Sequence, residues 1–89
     1  MKNRDRMEII SKILQATNGR VGATKTRIMY FAFLTHTQLK HYLSILADNG
    51  MVKYDSLSQT FKTTQKGLSF LKTYGEITQM IKMVPQQQF

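Results

Sequence analysis

Few side chains in this sequence have the type and spacing that metal binding or catalysis requires. There is no cysteine, which excludes disulfides, zinc–thiolate sites and thiol catalysis. The two histidines, His36 and His41, lie five positions apart, whereas two ligands on one helix face need a spacing of three or four. The five acidic residues form no paired-carboxylate pattern, and no serine lies in a strand-to-helix nucleophile turn. We therefore expect no metal, no cofactor and no enzymatic activity.

The net charge indicates binding to a polyanion. Thirteen Lys and Arg stand against five Asp and Glu, which gives a net charge of +8 on 89 residues. Solubility alone usually requires a smaller imbalance. The excess is concentrated in residues 1–40, which contain eight basic and two acidic side chains. Nucleic acid is the commonest partner for such a chain.

The best-specified helix is predicted over Thr35–Asn49. Thr35 followed three residues later by Gln38 forms a capping box, and Asn49-Gly50 is a typical helix C-terminus. Its apolar residues follow the helical spacing i, i+3, i+4 and i+7, and we expect them in the core. They are Leu39, Tyr42, Leu43 and Leu46.

The opposite face of this helix carries side chains suited to the major groove of DNA. Hydroxyls bond bases or phosphates, and a lysine reaches guanine acceptors or the backbone. The candidates on this helix are His36, Thr37, Gln38, Lys40, His41 and Ser44. Further candidates for phosphate or groove contacts are Arg20, Lys25, Arg27, Ser58, Gln59 and Lys62.

Two helices are predicted to precede this one and position it. The first spans about Arg4–Thr17, and Asn18-Gly19 is expected to end it through a left-handed glycine. Val21-Gly22 forms a short connection that includes a brief extended piece. The second helix begins near Thr24, and a tight turn around Phe33-Leu34 leads into the third helix.

After Gly50 the pattern changes to that of a hairpin and a long helix. Met51–Tyr54 and Thr60–Thr63 are strand candidates, joined by the polar turn 55–59. A final helix is predicted over Gln65–Met83, before Pro85. It carries an apolar stripe that we assign to a dimer interface, because a 19-residue helix is longer than so small a core can cover. The interface candidates are Leu71, Tyr74, Ile77, Thr78 and Ile81.

This order of elements predicts a winged helix-turn-helix, an α+β fold that is mainly helical. We expect a DNA-binding core over residues 1–64, a dimerisation helix over 65–84 and a frayed tail over 85–89. The charged N-terminus lacks a long apolar run, so neither a signal peptide nor a membrane span is expected. A cytoplasmic, nucleoid-associated location follows from these expectations.

The sequence also resembles a known family over about Ile9–Ile81. The resemblance is carried by the strings Thr26–Tyr30, Gln38-Leu39 with Tyr42-Leu43, Asn49–Val52 and Phe61–Gly67. These strings are similar to those of the small archaeal winged-helix proteins that are predicted to be transcriptional regulators. That group includes dimeric chromatin-type proteins with a C-terminal antiparallel coiled coil. The resemblance implies a homodimer that binds double-stranded DNA. The final helix is shorter than in the long coiled-coil members of that group.

Three functions remain open at this point. The chain could be a regulator whose third helix discriminates bases, or an architectural chromatin-type protein whose basic face holds the DNA backbone. Winged helices also serve as protein-interaction modules. RNA binding is less favoured, because no aromatic platform on an exposed sheet is expected.

Overall fold

The computed structural model describes the backbone of residues 5–83 and the side chains of residues 5–81. The elements follow the order α1 (Arg6–Thr17), α2 (Lys25–Ala32), α3 (His36–Asp48), β1 (Val52–Asp55), β2 (Thr60–Thr63) and α4 (Gln65–Met83). The predicted fold class, α+β and mainly helical, is therefore confirmed. The predicted tail 85–89 and residue 84 lie outside the described residues.

The start of α1 differs from the prediction, whereas its end at Thr17 is as predicted. Asp5 has extended backbone, so the helix begins at Arg6, two positions later than expected, while Arg4 lies outside the described residues. Gly19 has a positive φ of 130°, which favours glycine as expected, but this value lies outside the left-handed helical region of the predicted cap. Asn18 is extended (φ −76°, ψ 133°), and its N–H donates to the Gln15 carbonyl at 3.3 Å. This exit leads the chain to Ala23, which forms a bridge with Phe61.

The connection between α2 and α3 is fixed by backbone geometry and by side-chain caps. Phe33 adopts a left-handed conformation (φ 55°, ψ 54°), and this ends α2 at the predicted turn. The Thr35 hydroxyl then accepts from the Gln38 N–H at 3.1 Å, and Gln38 Oε1 accepts from the Thr35 N–H at 2.9 Å. The capping box expected from the sequence is thus confirmed, and it sets the start of α3.

A left-handed glycine ends α3 as predicted. Gly50 has φ 71°, and its N–H donates to the Ala47 carbonyl at 3.0 Å. The Met51 N–H donates to the Leu46 carbonyl at 2.8 Å. This pair of bonds is the Schellman motif, which satisfies the terminal carbonyls and directs the chain into β1.

The β1–β2 hairpin, here called the wing, is antiparallel and has a single register. Tyr54 pairs with Phe61 and Lys53 with Lys62. β1 begins at Val52, one residue later than predicted, and it includes Asp55. The expected extended piece between α1 and α2 lies at Ala23, whose N–H and carbonyl both bond Phe61.

One core holds the helices and the wing together. It is apolar and draws on every element; its buried members include Ile13, Leu14, Ile28, Leu39, Leu43, Leu46, Val52 and Phe61. Tyr42 is partly buried against it. A hydroxyl link also joins α1 to β2: Thr63 donates to the Leu14 carbonyl at 2.8 Å and lies 2.6 Å from the Thr17 hydroxyl. The wing is therefore anchored at its base.

Gly67 in the first turn of α4 leaves no room for a side chain beside Met51 and Thr63, and its substitution tests the packing. A Cβ at this position would lie 2.5 Å from the Met51 carbonyl oxygen and 2.6 Å from Thr63 Cγ2. We expect Gly67→Ala to lower the free energy of unfolding by about 1–3 kcal/mol in urea titrations, since backbone must shift. Gly75→Ala is the matched control, because a Cβ there meets nothing within 4 Å. It should stabilise the helix by up to about 1 kcal/mol. Equal loss in both variants would contradict this packing.

Candidate nucleic-acid interface

The exposed face of α3 gathers most of the candidate side chains. Leu39, Leu43 and Leu46 are buried and fix the rotation of the helix. On the other side, every sequence-predicted contact residue of this helix is exposed; these are His36, Thr37, Gln38, Lys40, His41 and Ser44. The first turn contains no acidic residue. Its amide groups and the helix dipole therefore favour an anion at this end.

Gln38 is only partly available for recognition. Its Oε1 accepts from the Thr35 N–H in the capping box. A bidentate contact to adenine needs both the oxygen and the amide group of the side chain. Gln38 can therefore use only its NH₂ group while the capping box is intact.

A polar groove lies between the N-terminus of α2 and the wing. It encloses about 480 Å³ and is lined by Thr24, Lys25, Thr26, Tyr54 and Gln59. The Thr24 hydroxyl caps α2 by accepting from the Arg27 N–H at 3.3 Å. Among the described residues, none that lines this groove carries a carboxylate. The fold thus brings Lys25 and Gln59, which are far apart in sequence, to a single anion-compatible surface.

Asp55 organises the turn of the wing. One carboxylate oxygen accepts from the Leu57 N–H at 3.0 Å, and the other accepts from the Ser58 hydroxyl at 3.0 Å. The Leu57 N–H and then the Ser58 hydroxyl hold the pKa of Asp55 below its usual value. Ser58 also lies 2.7 Å from the Thr60 hydroxyl. The Ser58 hydroxyl therefore shapes the turn, and Leu57 is 96% exposed at the tip.

Lys62 lies on the other face of the wing from the polar groove. It pairs directly with Lys53, whereas Tyr54 and Phe61 point towards α2 and the core. Lys53 and Lys62 line a second groove of about 390 Å³ with Asp55. The sequence analysis did not include Lys53. The cross-strand register of the two predicted strands is the signal that would have found it.

The structure separates the remaining cationic candidates. Arg27 lies on the outer face of α2, where it lines a shallow groove with Tyr30 and Phe31. Lys25 instead faces the wing. Arg20 is exposed in the connection between α1 and α2. Ten of the twelve candidates therefore divide among α3, the α2–wing groove, the outer wing face and the outer α2 face, while Arg20 lies in the α1–α2 connection and Ser58 in the turn of the wing.

The stripe on α4 forms one wall of an apolar groove of about 390 Å³. The other wall is the start of α1, with Asp5 and Met7. Its α4 residues are Phe70, Thr73, Tyr74, Ile77, Thr78 and Ile81. The rings of Phe70 and Tyr74 stack with centroids 5.9 Å apart. Four of the five predicted interface residues line this groove, whereas Leu71 is partly buried against the core of its own chain.

The comparison with known families agrees with this architecture. A sequence model described as winged helix-turn-helix matches residues 3–82. This chain belongs to the winged helix-turn-helix family. In helix-turn-helix proteins the recognition helix lies in the major groove while the preceding helix crosses the backbone. In chain order, α2 and α3 correspond to the two helices of this motif.

A search of curated proteins gives no match to this winged helix-turn-helix sequence. Within residues 5–83, no helix is long and apolar enough to cross a membrane. Among the described residues, no group of three or more His, Asp or Glu side chains could hold a metal ion.

Proposed function

We propose that this winged helix-turn-helix chain is a homodimeric transcriptional regulator that inserts α3 into the major groove of double-stranded DNA. The observation that carries the proposal is the exposed face of α3, where Thr37, Lys40 and Ser44 lie opposite a buried leucine face. These side chains have the reach and chemistry for base edges. In this proposal the chain binds DNA of the nucleoid and catalyses no reaction.

Phosphate contacts on either side of α3 would fix its orientation. Lys25, Gln59 and the N-terminus of α2 form one contact surface, because they line the same groove. Arg27 on the outer face of α2 and Arg20 in the α1–α2 connection would add separate phosphate contacts. Lys62, together with Lys53, provides a separate contact on the outer wing face. Such contacts position the protein and carry no sequence information directly.

The proposed dimer forms through the groove on α4, with a second copy of the chain as its occupant. Phe70, Tyr74, Ile77 and Ile81 are spaced four, three and four residues apart, which is the spacing of a coiled-coil seam. Ile77 and Ile81 are 50% and 65% exposed in the single chain. The Thr78 hydroxyl donates to the Tyr74 carbonyl at 2.6 Å, so its hydrogen is already used within the helix. The same seam on two copies makes a self-complementary contact.

One observation favours an architectural, chromatin-type role as the second candidate. The chain has a net charge of +8, yet α3 carries one lysine and no arginine. Most of the positive charge therefore lies outside the helix that would read bases. In that case the protein would hold DNA with little preference for sequence.

Competition binding separates these two roles. Labelled duplexes selected from a random pool are titrated at 50 mM and 200 mM salt, with random duplex and duplex RNA as competitors. A regulator should prefer its selected duplex over random DNA by about 10³-fold or more. A steep salt dependence without sequence preference would contradict the regulator and support the architectural role. Stronger competition by RNA than by DNA would contradict both.

A further inference from the structure

The polar groove between α2 and the wing contains a glutamine in an unfavourable backbone conformation. Gln59 is left-handed (φ 57°), which is costly for a residue with a side chain and easy for glycine. Its side-chain amide forms no hydrogen bond within the part of the chain that the structure describes. Backbone strain of this kind is concentrated at functional sites. The fold thus holds a glutamine, with both amide atoms available, at a position that favours glycine.

One aromatic ring lines the same groove. Tyr54 is 52% exposed, and its ring packs on the buried ring of Phe61 with centroids 4.8 Å apart. This contact with the core holds the tyrosine ring in place, while half of the side chain stays accessible to a ligand. An exposed aromatic face of this kind stacks on planar rings such as nucleic-acid bases.

The remaining side chains of the groove are one cation and two hydroxyls, from Lys25, Thr24 and Thr26. The Thr24 oxygen accepts from the Arg27 N–H, so its hydroxyl hydrogen remains available to a ligand. With Lys25 and no lining carboxylate among the described residues, the groove favours an anion. Its volume of about 480 Å³ lies within the range of small-molecule sites.

A duplex backbone accounts for only part of this groove. Duplex phosphates could bond Lys25, but the bases of a duplex are stacked inside it and present no ring face to Tyr54. A glutamine whose oxygen and NH₂ group are both available pairs with N7 and N6 of adenine. Gln59 meets this condition, whereas Gln38 does not, because its Oε1 accepts from the Thr35 N–H. The cation, the ring and the amide together match a free adenine nucleotide.

We propose that the polar groove binds a free adenine nucleotide, and that the nucleotide competes with duplex DNA for this surface. The phosphate bonds Lys25 and the threonine hydroxyls, the adenine ring packs on Tyr54, and Gln59 bonds the base edge. The competition rests on the proposed function, in which the same groove contacts a DNA phosphate. Nucleotide binding itself depends only on the groove.

Calorimetric titration of the full chain with AMP at physiological ionic strength tests the site. The comparison ligands are GMP, which changes the base, ribose 5-phosphate, which lacks the base, and adenosine, which lacks the phosphate. AMP should bind at least about 5-fold more tightly than each of them. Equal affinity for the three phosphate compounds would show an adventitious ion only and would overturn the proposal. Binding of single-stranded dA6 in this groove without binding of AMP would also overturn it.

Three variants assign the binding to this groove. Gln59→Gly relieves the left-handed backbone, so it should keep or raise the unfolding midpoint while AMP loses its preference over GMP. Lys25→Gln and Tyr54→Ser should each weaken AMP binding by about 5- to 50-fold. Lys53→Gln is the matched control, since it removes one charge beside Tyr54 but on the outer face of the wing. Variants Gln59→Gly and Lys25→Gln that bind AMP like the unmodified chain overturn the proposal.

Duplex titrations in the presence of AMP separate this site from the proposed function. AMP at about ten times its Kd should weaken duplex binding by about 10-fold, because the two ligands exclude each other. Absence of AMP binding, with Lys40→Glu still weakening duplex binding, overturns the nucleotide site alone. AMP binding that leaves duplex affinity unchanged overturns the competition, and with it the DNA contact at this groove.

Discussion

Replacing Lys40 by glutamate is expected to weaken duplex binding by about 10- to 100-fold. Lys40 is the one cation of α3, and it is exposed on the face opposite the buried leucines. A carboxylate there removes an attraction and adds repulsion against phosphates and guanine acceptors. Fluorescence anisotropy with a labelled duplex measures the loss, and the salt dependence of log K should become shallower by about one unit.

Lys72→Glu is the matched control for this substitution. It makes the same change in charge on α4, which packs against α1 and β2. Lys72 forms only an exposed ion pair with Glu76 at 3.3 Å, so the fold should tolerate its loss. Duplex affinity should change far less than with Lys40→Glu. Equal losses in the two variants would show that net charge, and not α3, determines binding. If Lys40→Glu leaves affinity unchanged, a protein-interaction module becomes the better reading.

Placing carboxylates at Ile77 and Ile81 is expected to convert the dimer to a monomer. In the proposed seam these side chains pack against the second copy, where an unpaired charge is strongly unfavourable. The double variant Ile77→Asp, Ile81→Asp should elute in light-scattering chromatography with the mass of one 10.3-kDa chain. Affinity for a duplex with two half-sites should fall by about 10²-fold or more, because the two binding events are no longer linked.

Met80→Asp is the control for the dimer. Met80 is 67% exposed and is a neighbour of Ile81, but it is not among the residues that line the groove. This variant should remain a dimer. A monomeric unmodified chain at micromolar concentration would contradict the proposed dimer. So would a dimer that survives the double substitution.

Local sequence signals were enough to predict most of the elements. The capping box at Thr35 and the glycine at Gly50 act through bonds within a few residues, so both ends of α3 follow from the sequence. Thr64 similarly begins α4, since its hydroxyl accepts from the Gly67 N–H at 3.2 Å. The caps at Thr35 and Gly50 depend on nearby atoms alone, whereas Thr64 also bonds the Gly50 and Met51 carbonyls.

The features that were not predicted depend on contacts between distant parts of the chain. The extended exit of α1 serves the bridge between Ala23 and Phe61, which are far apart in sequence. Lys53 and Lys62 come together only through the register of the wing. Hydropathy alone likewise could not show that Tyr30 and Phe33 are exposed, because that depends on how α2 packs against α1 and α3.

In the candidate interfaces, too, some features follow from the local sequence and others depend on how the chain packs. Helical periodicity correctly separated the buried leucines of α3 from its exposed polar face. On α4, periodicity could not distinguish a stripe that includes Leu71 from one that includes Phe70, since both keep the three-four spacing. The structure packs Leu71 partly against its own core and lines the groove with Phe70. Which side of a helix meets the rest of its own chain is a tertiary property.

Mapping of backbone amide shifts during titration with duplex DNA tests the central claim most directly. The isotope-labelled chain is titrated with a selected duplex, and each amide of residues 5–83 is followed. We expect the largest changes at His36–Ser44 of α3, with smaller ones at Lys25 and Gln59. Changes confined to the groove on α4, with α3 unperturbed, would contradict the proposal that α3 binds DNA.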